Sequence, residues 1–210
     1  MKRRTYAAVL GLLLAAVCLM AACSQKLAVQ YYAEETDKVT EPVRLAVLTD
    51  LHSTFYGKGQ EELIHTLDRQ EPDAVLLVGD IADDEVPHDG TKALLSAIGG
   101  RYPCFYVTGN HEYWSGEAEE IKEMIASYGV TVLEGESRFL NAGEQKIQIC
   151  GVDDPDGFGR WFGLDSGTTA GWEKQLEDCR LALDGAYYSV LLSPRPERVS
   201  GYAHQPGEET

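Results

Sequence analysis

The chain is 210 residues long, 44% apolar and 25% charged, and its 34 acidic against 18 basic side chains give a formal net charge of −16. That length and apolar content suit one domain with a substantial core. The acidic balance argues against nucleic acid as a partner for the general surface, and no repeat or low-complexity block interrupts the sequence.

The chain opens "MKRRTYAAVLGLLLAAVCLMAACSQ": a basic tip at Lys2, Arg3 and Arg4, an uncharged run from Tyr6 to Ala22, then Cys23. This is the layout of an export signal and stands outside the fold. "LMAAC" followed by Ser24 resembles a bacterial lipoprotein signal, which implies cleavage before Cys23, lipidation of that cysteine and stable attachment by more than one acyl chain. An uncleaved anchor stays open, because the apolar run approaches the lower limit for crossing a bilayer, as does ordinary secretion. The Arg3-Arg4 pair allows a twin-arginine signal, although its flanks fit poorly. All these readings place the folded part outside the cytoplasm, and the first attaches it to the bacterial cell membrane. Loss of residues 1–22 leaves 188 residues and, with three cations gone, a net charge of about −19. Residues 23–42, with the acidic stretch "AEETDKVTEP", read as a tether.

Beyond it the pattern is apolar run, loop, amphipathic stretch. Strands are predicted over Val43 to Thr49, Ala74 to Gly79, Cys104 to Gly109, Val130 to Leu133, Lys146 to Val152 and Tyr187 to Ser193. Helices are predicted near Gln60 to Arg69, Thr91 to Ile98, Glu117 to Tyr128 and Gly171 to Leu183. Short Val, Ile and Leu-rich strands alternating with helices argue for an α/β domain with a buried sheet. Cys104, Cys150 and Cys179 are the domain's cysteines; their odd number, without a CxxC, gives no disulfide framework, and Cys104 and Cys150 read as buried free thiols.

Such sheets place their chemistry at the carboxyl ends of strands. Asp50 and His52 follow the first predicted strand, Asp80 the second, and Asn110 with His111 the third, so three separated polar clusters fall on one sheet edge. Each alone has a plainer explanation: Asp50 as a helix cap, His52 as an exposed histidine, Gly79-Asp80 as a turn, and Gly109-Asn110 as a left-handed backbone position. Together they supply carboxylate, imidazole and amide oxygen, ligands suited to Mn, Fe or Zn. A carboxylate such as Asp80 can bridge two ions about 3.5 to 4 Å apart, as two-metal hydrolysis requires. Cations at such a site would also let an acidic protein take an anionic phosphate.

"TDLH", "GDIAD" and "GNHE", in this order and each after an apolar run, resemble the signature of the calcineurin-like metallophosphoesterases. "GNHEYWSG", "GVDDP" and "LLSPRPE" are similar to the bacterial membrane-associated subgroup, and the resemblance runs from about Val43 to Arg198. It implies a two-sheet sandwich flanked by helices, incomplete here at its C-terminus, with the domain over residues 43–198 and an aberrant tail over 199–210. It implies that Asp50 and His52 bind one metal, Asp80 bridges, and Asn110 binds the other. His111 would assist at the phosphate or the leaving group, with Asp83 and Glu112 fixing their neighbours. The implied reaction is hydrolysis of small phosphate mono- or diesters by a hydroxide that two metals activate. No nucleic acid is expected as partner.

Three further histidines belong to the family pattern. The first stands in a stretch like "LLSHRPE", where this sequence has Pro194, and the other two in a later "GHxH" that the chain does not contain. His204, His65 and His88 are poor replacements, by position. The resemblance thus implies two divalent or trivalent ions in the complete site and one or none in this chain. The hydrophilic turn after Arg198 reads as a frameshift and early stop. A non-catalytic, membrane-anchored relative with a binding role is the alternative, and a metal-dependent nuclease is disfavoured by the missing basic groove.

Overall fold

The structure, a computed structural model, describes residues 27–161, 164–165 and 170–198. The expected signal segment, Cys23 and residues 199–210 with His204 lie outside the described residues. Met1–Ala33 and Glu34–Thr210 are separate compact units, and the fold below is that of the second.

β1 (Leu45–Leu48), β2 (Ala74–Val78), β3 (Cys104–Val107) and β4 (Thr131–Val132) form a parallel sheet in that order. β1 pairs with β2 from Leu45 opposite Ala74, and β2 with β3 from Val75 opposite Cys104. β5 (Glu136–Ala142), β6 (Gln145–Gly151) and β9 (Tyr188–Leu192) form a second sheet, antiparallel between β5 and β6 and parallel between β6 and β9. A short antiparallel pair, β7 (Arg160–Trp161) and β8 (Leu164–Asp165), stands apart.

The side-chain period of two explains how the sheets meet. Ala74 and Leu76 of β2, Phe105 and Val107 of β3, Leu140 of β5, Ile147 and Ile149 of β6 and Leu192 of β9 enter one buried cluster. The alternate residues Val75, Leu77, Cys104 and Tyr106 are buried as well. Both faces of the central strands are therefore covered, which is why they read as continuous apolar runs. α1 (Glu61–Asp68), α2 (Asp89–Ile98) and α4 (Ala118–Ser127) bury Leu63 and Leu67, Leu94, Leu95 and Ile98, and Ile121 and Ile125, the three-to-four spacing of one helix face. α5 (Ala170–Ala182) lays Trp172, Leu176 and Cys179 against Cys150 and Val152. The architecture is an α/β fold with a parallel sheet, a second sheet and flanking helices, in agreement with the expectation.

Three features differ from the sequence reading or were absent from it. β5 carries "ESRFLNA", in which only Leu140 and Ala142 are buried, so its apolar signal is too thin to show alone. It is held by a seven-residue ladder to β6 across a two-residue turn in which Gly143 has φ 62°. α3 (Asn110–Trp114) is a five-residue helix at the end of the third strand. Cys150 is bonded to Cys179, with Cα atoms 6.0 Å apart, and only Cys104 is a free buried thiol among the described cysteines. That corrects the reading of Cys150 as free. A sequence separation of 29 hid a proximity that arises when α5 packs across β6. Before β1, Val39 and Val43 pack on the shared core, and Gln145 bonds the backbone of Thr40 and Glu41.

Candidate metal centre

The loops leaving β1, β2 and β3 are laced together through their backbones. Gly79 N–H donates to Val107 C=O at 3.0 Å, Asp50 N–H to Gly79 C=O at 3.2 Å, and His52 N–H to Asp80 C=O at 2.9 Å. The parallel pairing thus continues past the strands and sets the residues after them side by side. Asp50, His52, Ser53 and Asp80 all have φ between 48° and 54°, a left-handed conformation uncommon in residues with a β-carbon and typical of functional loops. Gly109 has φ −110° and is glycine for another reason: a β-carbon there would collide with the Asp80 carboxylate. The "GN" pair serves close approach, and the left-handed positions fall on Asp50, His52, Ser53 and Asp80 instead.

On this frame, Asp50, His52 and Asp80 present donor atoms that all lie within 4.8 Å of one another. His52, Asp83 and His111 make a second such group. Asn110 opens α3 between Gly109, packed on Asp80, and His111, whose amide donates to Asp80 Oδ1 at 2.9 Å. Two adjacent aspartates face the two imidazoles. Asp83 Oδ2 lies 3.2 Å from His52 Nδ1, within ion-pair distance though without hydrogen-bond alignment, and Asp84 Oδ1 lies 2.6 Å from His111 Nδ1. Asp84, the third aspartate of "GDIADD", is not singled out by the sequence pattern.

Burial alone would lower the pKa of His111; the bond to Asp84 and the charges of Asp80, Asp84 and Asp83 outweigh it and raise it. Burial would raise Asp83, but the amides of Glu85 and Val86 and the two imidazoles bring it below the ordinary carboxylate range. The donor set, two hard carboxylates beside an imidazole in a field of four aspartates, fits a divalent metal ion.

Glu112 is the keystone of the backbone lacing. It is fully buried, and its carboxylate accepts from the amides of Asp80, Ile81, Ala82 and Gly109 at 2.8 to 3.0 Å. Desolvation pushes its pKa up even so, partly offset by the amides. One side chain of α3 therefore fixes the loops after both β2 and β3.

The second sheet contributes polar contacts of another kind. Asp153, just after β6, accepts from Thr108 Oγ1 at 2.6 Å and from Lys122 Nζ at 3.2 Å. Lys122 is itself buried and also bonds Glu134 at 2.6 Å; burial opposes its charge, and Asp153 and Glu134 prevail and raise its pKa. Next to it, fully buried Asp154 takes Arg195 in a fork, Nε at 2.6 Å and an Nη at 3.0 Å. Arg195 follows Pro194, and a β-carbon on Gly79 would sit 2.8 Å from the Cβ of Pro194. The β9 turn is thus clamped against the base of the Asp80 loop, where it presents a hydrocarbon ring.

The sequence matches the description "Calcineurin-like phosphoesterase" over residues 43–207. The chain belongs to the calcineurin-like phosphoesterases. Among its curated relatives, an uncharacterized metallophosphoesterase of Helicobacter pylori is 30% identical over 56% of this chain and 31% of that protein. One of Campylobacter jejuni is 27% identical over 80% of this chain and 42% of its own length. A "Transmembrane protein with metallophosphoesterase domain" of Danio rerio is 27% identical over 60% and 30%. The chain spans less than half the length of these relatives. A phosphopantetheinyl hydrolase from Mycobacterium tuberculosis shares the fold, with a TM-score of 0.51 at 16% identity, over 77% of this chain and 71% of that one.

In this calcineurin-like phosphoesterase, Asp50, His52, Asp80, Asn110 and His111 all follow strands of one sheet at one edge, with Asp83 and Glu112 beside them. His65 is exposed on α1, and His88 approaches Ser53 Oγ at 3.5 Å without joining either ligand group. Among the described residues no helix is long and apolar enough to cross a membrane.

Proposed function

We propose that the chain is a metal-dependent phosphoesterase acting on small phosphate mono- or diesters, with Asp50, His52, Asp80 and Asn110 as the residues that would hold two divalent or trivalent ions. The observation that carries this is the convergence of Asp50, His52 and Asp80 donor atoms within 4.8 Å at the ends of β1 and β2. Bound ions would supply Lewis-acid polarisation of the phosphate and a water acidified to near neutrality. The protein's own part is positional. Glu112 holds the Asp80 and Asn110 loops in register, Asp83 orients His52, and Asp84 occupies His111 Nδ1, leaving Nε2 to give a proton to the leaving oxygen.

Asp80→Asn keeps the shape of the side chain and removes its charge, so it should weaken binding of Mn or Zn by 10-fold or more, on the order of a lost ligand, and abolish turnover of bis-p-nitrophenyl phosphate. Isothermal titration with metal and a chromogenic assay check both. Metal affinity unchanged by Asp80→Asn would sink the reading.

Pro194 favours a second reading. Its carbon-only side chain stands at the base of the Asp80 loop, where the resemblance expects an imidazole, and a member lacking that donor fits a binding role without catalysis. Undetectable hydrolysis in a folded, metal-bound chain would select it. We place the domain outside the cytoplasm, anchored through Cys23; a Cys150–Cys179 bond supports that reading, since such bonds persist in oxidising compartments.

A further inference from the structure

Trp114 closes α3 one turn beyond His111 and is unlike the other aromatic residues of that helix. Its neighbour Tyr113 packs inward, with Gly157 against its ring and Lys122 Nζ 5.6 Å from the ring centroid. Trp114 is 44% exposed, an open tryptophan next to the centre. Its ring centroid lies 4.8 Å from that of His111, and His111 in turn meets His52 edge-on at 4.3 Å. Three rings therefore run outward from the ligand loops: His52, His111, Trp114.

The indole is held. Its Nε1–H donates to Asp156 Oδ2 at 2.9 Å. The Asp156 side chain is only 5% exposed, lies 3.5 Å from Arg195 Nη2, and has its amide bonded to Asp154 Oδ1 at 2.8 Å. The Arg195–Asp154 fork thus fixes Asp156, which fixes the indole edge and leaves a face open. A pre-positioned exposed aromatic face loses little conformational freedom when a ligand settles on it.

We propose that Trp114 is the platform for the organic group of the substrate, and that the preferred substrates are phosphate esters of uncharged planar aromatic alcohols. This rests on the phosphoesterase reading of the site. The leaving oxygen must come within hydrogen-bond reach of His111, so the group it carries emerges beside that ring, and Trp114 is the large exposed surface in contact with it. Asp84 lies against His111 and Asp156 against the indole edge, which disfavours leaving groups bearing further negative charge.

The test uses the full chain saturated with zinc and titrates two non-hydrolysable probes, phenylphosphonate and methylphosphonate, by calorimetry. The wild type should bind the phenyl compound about threefold to tenfold more tightly, the range of one aromatic contact. Trp114→Ala and the apolar but non-aromatic Trp114→Leu should both erase that preference while leaving methylphosphonate affinity unchanged, and Trp114→Phe should retain most of it. Equal affinities in the wild type, or a preference that survives Trp114→Leu, overturn the platform and leave the phosphate site standing. Failure of both probes to bind overturns the phosphate reading and the platform with it.

Discussion

The two sheets deliver loops to the same place by different means. The parallel sheet sends three loops whose backbones bond to one another in series, two of them also to one buried carboxylate, Glu112, and Asp50, His52 and Asp80 sit there in left-handed conformations. The mixed sheet relies on charged side chains: Asp153 pairs with Lys122 of α4, and Asp154 with Arg195 braces the loops after β6 and β9 against each other. β2 and β3 are almost wholly buried, whereas β9 is half-exposed along most of its length. Backbone lacing fixes geometry to the atom; side-chain clamps hold a turn in place while letting its residues vary. A proline at position 194 is tolerable on the second kind of support, because the Arg195 fork holds the turn whatever side chain precedes it.

The sharpest way to break this contrast is Glu112→Ala. Four amide donors lose their partner at once, which should cost on the order of 4 kcal/mol, read by urea denaturation, and metal affinity should fall with it. A loss under about 1 kcal/mol would mean that the loops hold their own shape without the carboxylate.

Arg195→Ala comes next, leaving the buried Asp154 carboxylate with its amide partner alone. We expect about 3 kcal/mol of destabilisation, the usual cost of stripping one partner from a buried pair, with metal affinity nearly unchanged because the Asp80 loop keeps its bonds to Glu112. A parallel collapse of metal binding would show that the two sheets support the site equally.

The smallest effect is expected at Asp84. The folded-state pKa of His111 lies above its ordinary value, so the stability from its bond to Asp84 is fully present below about pH 6.5, the unfolded value, and is lost as pH rises through the higher folded value. Asp84→Asn should bring the titration of His111 down, followed by NMR of the ring protons, while stability changes by less than about 1 kcal/mol because both side chains are partly exposed. An unmoved midpoint would mean that the other aspartates set it.

Several parts of this protein were legible from its residues alone. The apolar runs of β2, β3 and β6 announced a buried sheet because strands covered on both faces carry little polar sequence. "TDLH", "GDIAD" and "GNHE" pointed to one cluster of candidate ligands because each follows an apolar run, and parallel strands bring their carboxyl ends to one edge. β5 was missed because a half-exposed strand of mixed polarity owes its existence to its ladder with β6. Asp84 was passed over for Asp83, since adjacent carboxylates look alike in one dimension and only the loop's path turns one to His52 and the other to His111. The Cys150–Cys179 bond, the Arg195 fork and the pinned indole of Trp114 join residues 29, 41 and 42 positions apart. Sequence order fixes which residues are available to a site through local pattern and strand polarity; which of them touch is decided by packing between distant segments, and the tertiary structure alone shows it.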